Sequence, residues 1–377
     1  MVSGAIRWKG YFDWVLSQYV KKAIKKDIRY LLWLSMYQIR FMKKSYYHVV
    51  DETVGYAKKV KGKTVANFIN AVLRRFVKEK ENIPYPSDTI KRLSIAHSFP
   101  EWLISRWHKR MDLQSLERLL STLNKNPQFC LRVNINKISI NEVQKYFENN
   151  NVLTRRGLFS PTALYVDKLT PVIESVFFKK HLIHVQDEAS QLTGLAIQPK
   201  NGDYVLDACA GLGTKTLQLK EMNNNIRVIA MDNNIKRLRL MGNRKDRICG
   251  DAMENPFKNE LFDSILVDAP CSSLGIIRKH PEIKWGRKEE DIIKLSRYQL
   301  ELIKHLWNNL KQGGIIVYSV CSFEPEETIE VIEQLQKTMK FELENPLPFL
   351  FNKTYFLSLP HETNMDGFFI AKLKRIK

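Results

Sequence analysis

Two short segments each place a thiol directly after an apolar run. One is Asp268-Ala-Pro-Cys271, followed by Ser272 and Ser273; the other is Tyr318-Ser-Val-Cys321-Ser322. The preceding runs, Ile265–Val267 and Ile315–Tyr318, read as buried strands, so both cysteines sit just past strand ends on one side of a sheet. A single buried cysteine is most often a packing residue. Two at adjacent strand tips, beside a nucleoside-sized crevice, point instead to covalent chemistry by a thiolate.

Acids recur at the same place in the pattern. Asp207 follows Tyr204–Leu206, Asp232 follows Val228–Met231, Asp251 follows Cys249-Gly, and Asp268 follows Ile265–Val267. Any one could be a helix cap or a turn residue. Four in register would face the crevice beyond the strand ends, where open α/β sheets bind ligands, and a carboxylate at Asp232 suits both ribose hydroxyls of a nucleoside. The loop after Asp207 runs Ala208, Cys209, Ala210, Gly211, Leu212, Gly213, Thr214, Lys215, Thr216 and opens a helix. Gly211 and Gly213 allow a tight turn and close approach of backbone to a ligand near the helix N-terminus. A phosphate-binding Walker loop fails, because Thr214 precedes Lys215 and Cys209 holds the earlier glycine position; a dinucleotide fingerprint lacks its third glycine, at Thr216. The alternative to an adenosine-type ligand is a plain tight strand-to-helix turn.

These residues need a scaffold. From about residue 198 short apolar runs alternate with amphipathic segments (Thr216–Met222, Ile235–Met241, Ile292–Leu310), which predicts a parallel sheet covered on both faces. Tyr355–Leu359 and Gly367–Leu373 suit a closing antiparallel pair. Residues 1–82 read as helices, with Phe68, Ile69, Val72, Leu73 and Phe76 on one face. Asn82–Asp88 is a proline-bearing linker, and 89–180 mixes strand-like Leu131–Ile135 and Tyr165–Val166 with helix-like Asn141–Asn149. Three domains are expected: 1–82, 89–180 and 181–377.

The 377 residues carry 60 Lys+Arg against 40 Asp+Glu, and residues 1–100 alone hold 20 against 7. So basic a field favours a polyanion such as nucleic acid, the alternative being a merely solvated lysine-rich face. No apolar run approaches a bilayer span, and no secretory signal is apparent. Five widely spaced cysteines (Cys130, Cys209, Cys249, Cys271, Cys321) without a Cys-x-x-Cys pair argue against a disulfide framework and a zinc site, so a reduced, cytoplasmic chain with no metal is expected.

With these motifs in hand the chain resembles the RNA 5-methylcytosine methyltransferases, and within them the bacterial 16S ribosomal RNA enzymes of the RsmB/Sun type with a NusB-like N-terminal domain. The resemblance covers Asn126-Pro, Arg132-Val-Asn134, Val185–Gln191, Asp207–Thr216, Asp268–Cys271, Tyr318–Ser322 and Asp366-Gly-Phe-Phe-Ile-Ala, with Asp51-Glu-Thr-Val and Ala66–Arg75 in the N-terminal part. Three features depart from the family pattern. The loop usually reads Cys-Ala-Ala-Pro-Gly-Gly-Lys, and here it lacks the proline and one glycine; Val320 replaces the usual threonine before Cys321; and Val2–Gly10 matches an internal helix of the NusB-like domain, so its first helices are expected to be absent.

The resemblance implies an α/β class I S-adenosylmethionine-dependent methyltransferase (Rossmann-like) domain. A small α+β domain and a truncated all-α NusB-like domain would precede it. It implies Cys321 as the nucleophile on cytosine carbon 6, Cys271 as an aid to product release and Asp268 as a contact to the base edge, with the cofactor also within reach. Cys209, Ala210, Gly211, Leu212, Gly213, Thr214 and Lys215 would hold the methionine end of S-adenosylmethionine, Asp232 the ribose and Asp251 the adenine. The expected partner is RNA, chiefly 16S ribosomal RNA, met by a monomer, with the target base unpaired or flipped out. A helix N-terminus after Cys321 would favour its thiolate while Glu324, Glu326 and Glu327 would oppose it, a balance only geometry can decide. The competing functional classes are a non-catalytic RNA-binding factor with a degenerate sheet domain, the same chemistry on another RNA such as tRNA, and a nicotinamide-dependent oxidoreductase, which would leave both strand-tip cysteines unused.

Overall fold

Short amphipathic helices fill the N-terminal third; of the expected Phe68–Phe76 face, Ile69, Val72, Leu73 and Phe76 are buried and Phe68 only partly. The computed structural model describes residues 1–241, 246–254 and 256–376. Its contacts divide the chain into two units, Met1–Lys125 with Ile277–Arg287, and Asn126–Ile276 with Lys288–Lys377.

In the first unit Lys26–Arg40, Tyr46–Lys61 and Lys63–Glu79 are the longest helices. Ile69, Val72, Leu73 and Phe76 recur at helical spacing and are buried with Phe12, Leu32 and Met36, while Arg74, Arg75 and Lys78 remain outside. Gly62 separates two of these helices with φ of +89°, a conformation that favours glycine. Thr89–His97, Glu101–His108 and Leu113–Asn124 complete the unit. Residues 277–287, distant in sequence, pack here: Lys284 is fully buried, lies 3.8 Å from the Phe99 ring centroid and donates to Asn124 Oδ1 at 3.1 Å.

The second unit contains two sheets. The smaller comprises β1 (Phe129–Val133), β2 (Thr154–Arg156), β3 (Ala163–Val166) and β4 (Ile183–Val185), in the order β2-β3-β1-β4 with antiparallel neighbours. Val143 and Phe147 of the helix Ile140–Asn149 share its core with Leu131 and Leu164. The larger sheet contains β5 (Tyr204–Asp207), β6 (Arg227–Asp232), β7 (Arg247–Cys249), β8 (Phe262–Asp268), β9 (Leu310–Val320), β10 (Phe341–Glu344), β11 (Tyr355–Ser358) and β12 (Phe368–Arg375). Its order is β10-β12-β9-β8-β5-β6-β7, with β11 also pairing β12. Strands β5 to β9 run parallel, whereas β12 is antiparallel to β9, β10 and β11. Helices Thr214–Met222, Ile235–Leu240 and Glu289–Trp307 connect the parallel strands. Ile265, Leu266 and Val267 have no exposed surface, as expected where helices cover both faces.

This is the expected Rossmann-like α/β architecture, with the late antiparallel pair in place. Strand β5 has β6 on one side and β8 on the other, so chain order reverses at β5 and opens a crevice above its carboxyl end. Asp207, Asp232 and Asp268 are the last residues of β5, β6 and β8, and Asp251 lies two residues past β7.

Candidate active site

Register between β8 and β9 brings the two thiols together. Asp268 pairs with Ser319 across the ladder, the Ala269 amide donates to Ser319 O at 2.9 Å, and Ser319 Oγ donates to Asp268 Oδ1 at 2.8 Å. With the strand ends matched, Cys271 Sγ lies 3.2 Å from Cys321 Sγ. Ser273, held at φ of +62°, places its hydroxyl 3.5 Å from Cys321 Sγ.

A buried polar network anchors both cysteine loops from below. Glu327 is wholly buried; its Oε1 accepts from the Ser272 amide at 2.6 Å and Gln299 Nε2 at 3.2 Å, and its Oε2 accepts from Ser272 Oγ at 2.5 Å. Tyr318 OH donates to the Glu327 carbonyl at 2.6 Å. The Gly275 amide donates to Cys321 O at 3.1 Å and the Gly367 amide to Gly275 O at 2.9 Å. A Cβ on Gly275 would collide with the Gly367 carbonyl, so this three-loop junction requires glycine.

The sulfurs are electrostatically unequal. The Cys271 hydrogen bond moves Cys321 below its ordinary thiol pKa; Ser273 and Lys215 assist, while burial and Asp268 oppose. The same bond, followed by burial, pushes Cys271 well above the ordinary thiol range. The pair therefore favours a Cys321 thiolate accepting from a Cys271 thiol. No helix starts directly after Cys321, since the next α-helix is Ile329–Thr338, and Glu327 is engaged beneath the Cys271 loop. The expected contest between helix dipole and glutamates gives way to one sulfur–sulfur hydrogen bond.

The loop Cys209–Lys215 lies over the end of β5. Gly211 and Gly213 have φ of +57° and +78°, so Gly211 supplies the turn despite the missing proline and glycine, and Leu212 projects at the exposed tip. Asp232 is buried and closes the loop, accepting from the Gly211 amide at 2.9 Å and the Asn234 amide at 2.8 Å. Asp251 accepts from the Met253 amide at 2.9 Å. Burial, followed by the charges of Asp207, Asp268, Asp232 and Asp251, pushes the Cys209 thiol up, as expected where four carboxylates converge on one crevice. Asp207 is almost wholly buried; burial raises it to about 6 although Thr216 donates to Oδ2 at 2.6 Å. Lys215 Nζ lies 2.6 Å from Asp268 Oδ2; burial works against its ammonium, but Asp268 together with the charges of Asp207 and Cys321 raises its pKa and keeps it charged.

The sequence-selected residues thus form two groups, the paired cysteines and the loop with its acids, joined by the Lys215–Asp268 ion pair. Sequence reasoning gave no role to Ser273, Ser319, Gln299 or Tyr318, and counted Glu327 only as a nearby negative charge. Ser319 and Tyr318 stood inside a quoted motif, but their partners lie on other strands and helices and left no local signal.

Three family models match successive stretches of the chain. The family model described as 16S rRNA methyltransferase RsmB/F matches residues 194–374, that of the NusB family residues 1–78, and that of the RsmF/B-like ferredoxin-like domain residues 99–173. Ribosomal RNA small subunit methyltransferase B of Pasteurella multocida is 32% identical, over 99% of this chain and 86% of its own. The probable ribosomal RNA small subunit methyltransferase B of Bacillus subtilis is 31% identical, over 100% and 89%. The crystal structure of PH0851 superimposes with TM-score 0.85 at 26% identity, over 99% of this chain and 88% of that one. A methyltransferase homolog protein from Pyrococcus horikoshii superimposes with TM-score 0.65 at 25% identity, over 77% and 100%. The chain belongs to the RsmB/F family of 16S rRNA methyltransferases, whose cofactor is S-adenosylmethionine.

Proposed function

We propose that this protein methylates carbon 5 of a cytosine in 16S ribosomal RNA through a covalent bond between Cys321 and carbon 6 of the base. The observation that carries the reading is the sulfur pair 3.2 Å apart with opposite pKa displacements, beside an aspartate held by Lys215 and Ser319.

Carbon 5 of cytosine is a poor nucleophile. Addition of the Cys321 thiolate to carbon 6 breaks the ring conjugation and loads electron density onto carbon 5, dividing one hard step into two easier ones. Bound S-adenosylmethionine supplies the electrophilic methyl group. Asp268, fixed by Lys215 and Ser319, faces the cytosine's N3 and exocyclic amine edge as charge develops in the ring. Release requires transfer of the carbon 5 proton to solvent water and departure of the Cys321 sulfur as a thiolate, the electron pair of the carbon 5–hydrogen bond restoring the ring double bond. Cys271, whose own proton is held tightly, can stabilise the departing thiolate by donating to it, as it does in the resting pair.

The loop fits the cofactor on three observations. Nothing lies within 4 Å of the space a Cβ on Gly211 would occupy, the Asp207 Oδ1 atom is buried with no hydrogen-bond partner, and Asp232 and Asp251 are near the Cys209 thiol. On this reading Cys209–Lys215 hold the methionine end, Asp232 the ribose and Asp251 the adenine. The basic residues 1–82 supply RNA affinity, residues 89–180 contribute to RNA binding, and residues 181–377 carry out the chemistry.

The test is a denaturing gel with labelled 16S RNA, S-adenosylmethionine and the single and double cysteine variants. Cys271→Ala should accumulate a shifted protein–RNA band because it attacks but releases slowly. Cys321→Ala should show no band and no methylation. A band from Cys321→Ala alone exchanges the roles, and no band from any variant, with unmethylated RNA, leaves a non-catalytic RNA-binding factor.

A further inference from the structure

A guanidinium from the small sheet reaches the helix that follows the cofactor loop. Arg132, on β1, is 2% exposed. Its Nη1 donates to Thr214 O at 3.2 Å and Gln186 Oε1 at 2.5 Å, and its Nη2 to Glu221 Oε2 at 2.6 Å. The other Glu221 oxygen lies 2.8 Å from His184 Nε2 on β4. Asn136 Nδ2 donates to the Glu221 carbonyl at 2.7 Å. Both ends of Thr214–Met222 are therefore held from the small sheet.

The start of that helix is gripped from two sides. Arg132 holds the Thr214 carbonyl, while Thr216 Oγ1 bonds Asp207 at 2.6 Å. Between them Lys215 reaches Asp268. A planar guanidinium can serve three acceptors in one fixed fork, which an ammonium on a flexible stem cannot. Its burial leaves Arg132 no surface with which to bind RNA, so whatever it contributes passes through the helix.

We propose that Arg132 is a positioning residue for the cofactor loop: by fixing Thr214 and Glu221 it sets the register from which Gly213 and Lys215 meet S-adenosylmethionine, and cofactor affinity depends on it without direct contact. The inference rests on the assignment of the Cys209–Lys215 loop to the cofactor. A purely structural ion pair would instead contribute stability and leave affinity unchanged.

The experiment uses the full chain with Arg132→Lys, Arg132→Gln and, as control, Asp232→Ala. It measures thermal denaturation, calorimetric affinity for S-adenosylhomocysteine, and RNA affinity. Arg132→Lys keeps a charge opposite Glu221 but loses the fork. It should bind S-adenosylhomocysteine about tenfold more weakly, the factor for about 1.4 kcal/mol, while RNA affinity is unchanged. A folded Arg132→Lys that melts lower yet binds within about twofold of wild type overturns the proposal, provided Asp232→Ala weakens binding. If neither Asp232→Ala nor Arg132→Lys weakens it, the loop assignment itself fails. Should both Arg132 variants misfold, Glu221→Gln, which weakens the pair while retaining an acceptor, must lower affinity severalfold or the proposal falls.

Discussion

Removing the Glu327 carboxylate tests whether the network beneath the cysteines holds the site together. Glu327→Ala removes the acceptor for the Ser272 amide, the Ser272 hydroxyl and the Gln299 amide. Hydrogen bonds to a charged group contribute about 1.5–3 kcal/mol each, but the 3.2 Å bond counts for less and burial already works against the carboxylate. A net loss of about 3–5 kcal/mol is expected, because two to three buried neutral donors are left unpaired at about 1–3 kcal/mol each and the relief of burying the carboxylate offsets part of that. In a domain of this size that lowers Tm by roughly 6–20 °C, at about 2–4 °C per kcal/mol. Glu327→Gln keeps an oxygen for Ser272 and should cost about 1 kcal/mol. The pH dependence has a fixed sign. Burial raises the folded pKa of Glu327 above its unfolded value, so its protonation-linked stability is full below the ordinary carboxylate range and is lost as pH rises through the raised value. The stability gap between wild type and Glu327→Gln should therefore narrow with rising pH across that window. Differential scanning calorimetry from about pH 4 to 8 measures both effects. A folded Glu327→Ala with Tm within about 2 °C of wild type would refute the reasoning.

Two further outcomes follow from the charges. Iodoacetamide should alkylate Cys321 with a midpoint below the ordinary thiol value, and Cys271→Ala should move that midpoint upward by removing the main donor; equal midpoints, mapped by mass spectrometry against pH, would contradict the pairing. RNA affinity should fall steeply between about 50 and 200 mM salt through exposed Lys21, Lys22, Lys25, Lys26, Lys43, Lys44 and Arg74, and neutralising Lys21 and Lys22 should flatten the log–log slope by about 0.7 for each lost single-strand phosphate contact; a filter-binding slope near zero would remove phosphate contact as the source of affinity.

What the sequence determined by itself was whatever is local or periodic. Apolar runs ending in Asp207, Asp232 and Asp268 marked strands of a parallel sheet, because a strand buried on both faces must be apolar throughout and its acid can only follow it. Helical spacing at Ile69, Val72, Leu73 and Phe76 likewise marked a buried stripe. Motif order selected Cys271 and Cys321, but two thiols separated by fifty positions carry no distance in the sequence. Only the β8–β9 register, with Asp268 opposite Ser319, puts the sulfurs in hydrogen-bonding contact and decides which one ionises more readily. The same limit hid Glu327, whose charge looked opposed to a thiolate until folding buried it against Ser272, and Arg132, whose partners lie 82 and 89 positions away. Pairing across long sequence separation depends on strand order and helix placement, and those are settled by the packing of the whole unit.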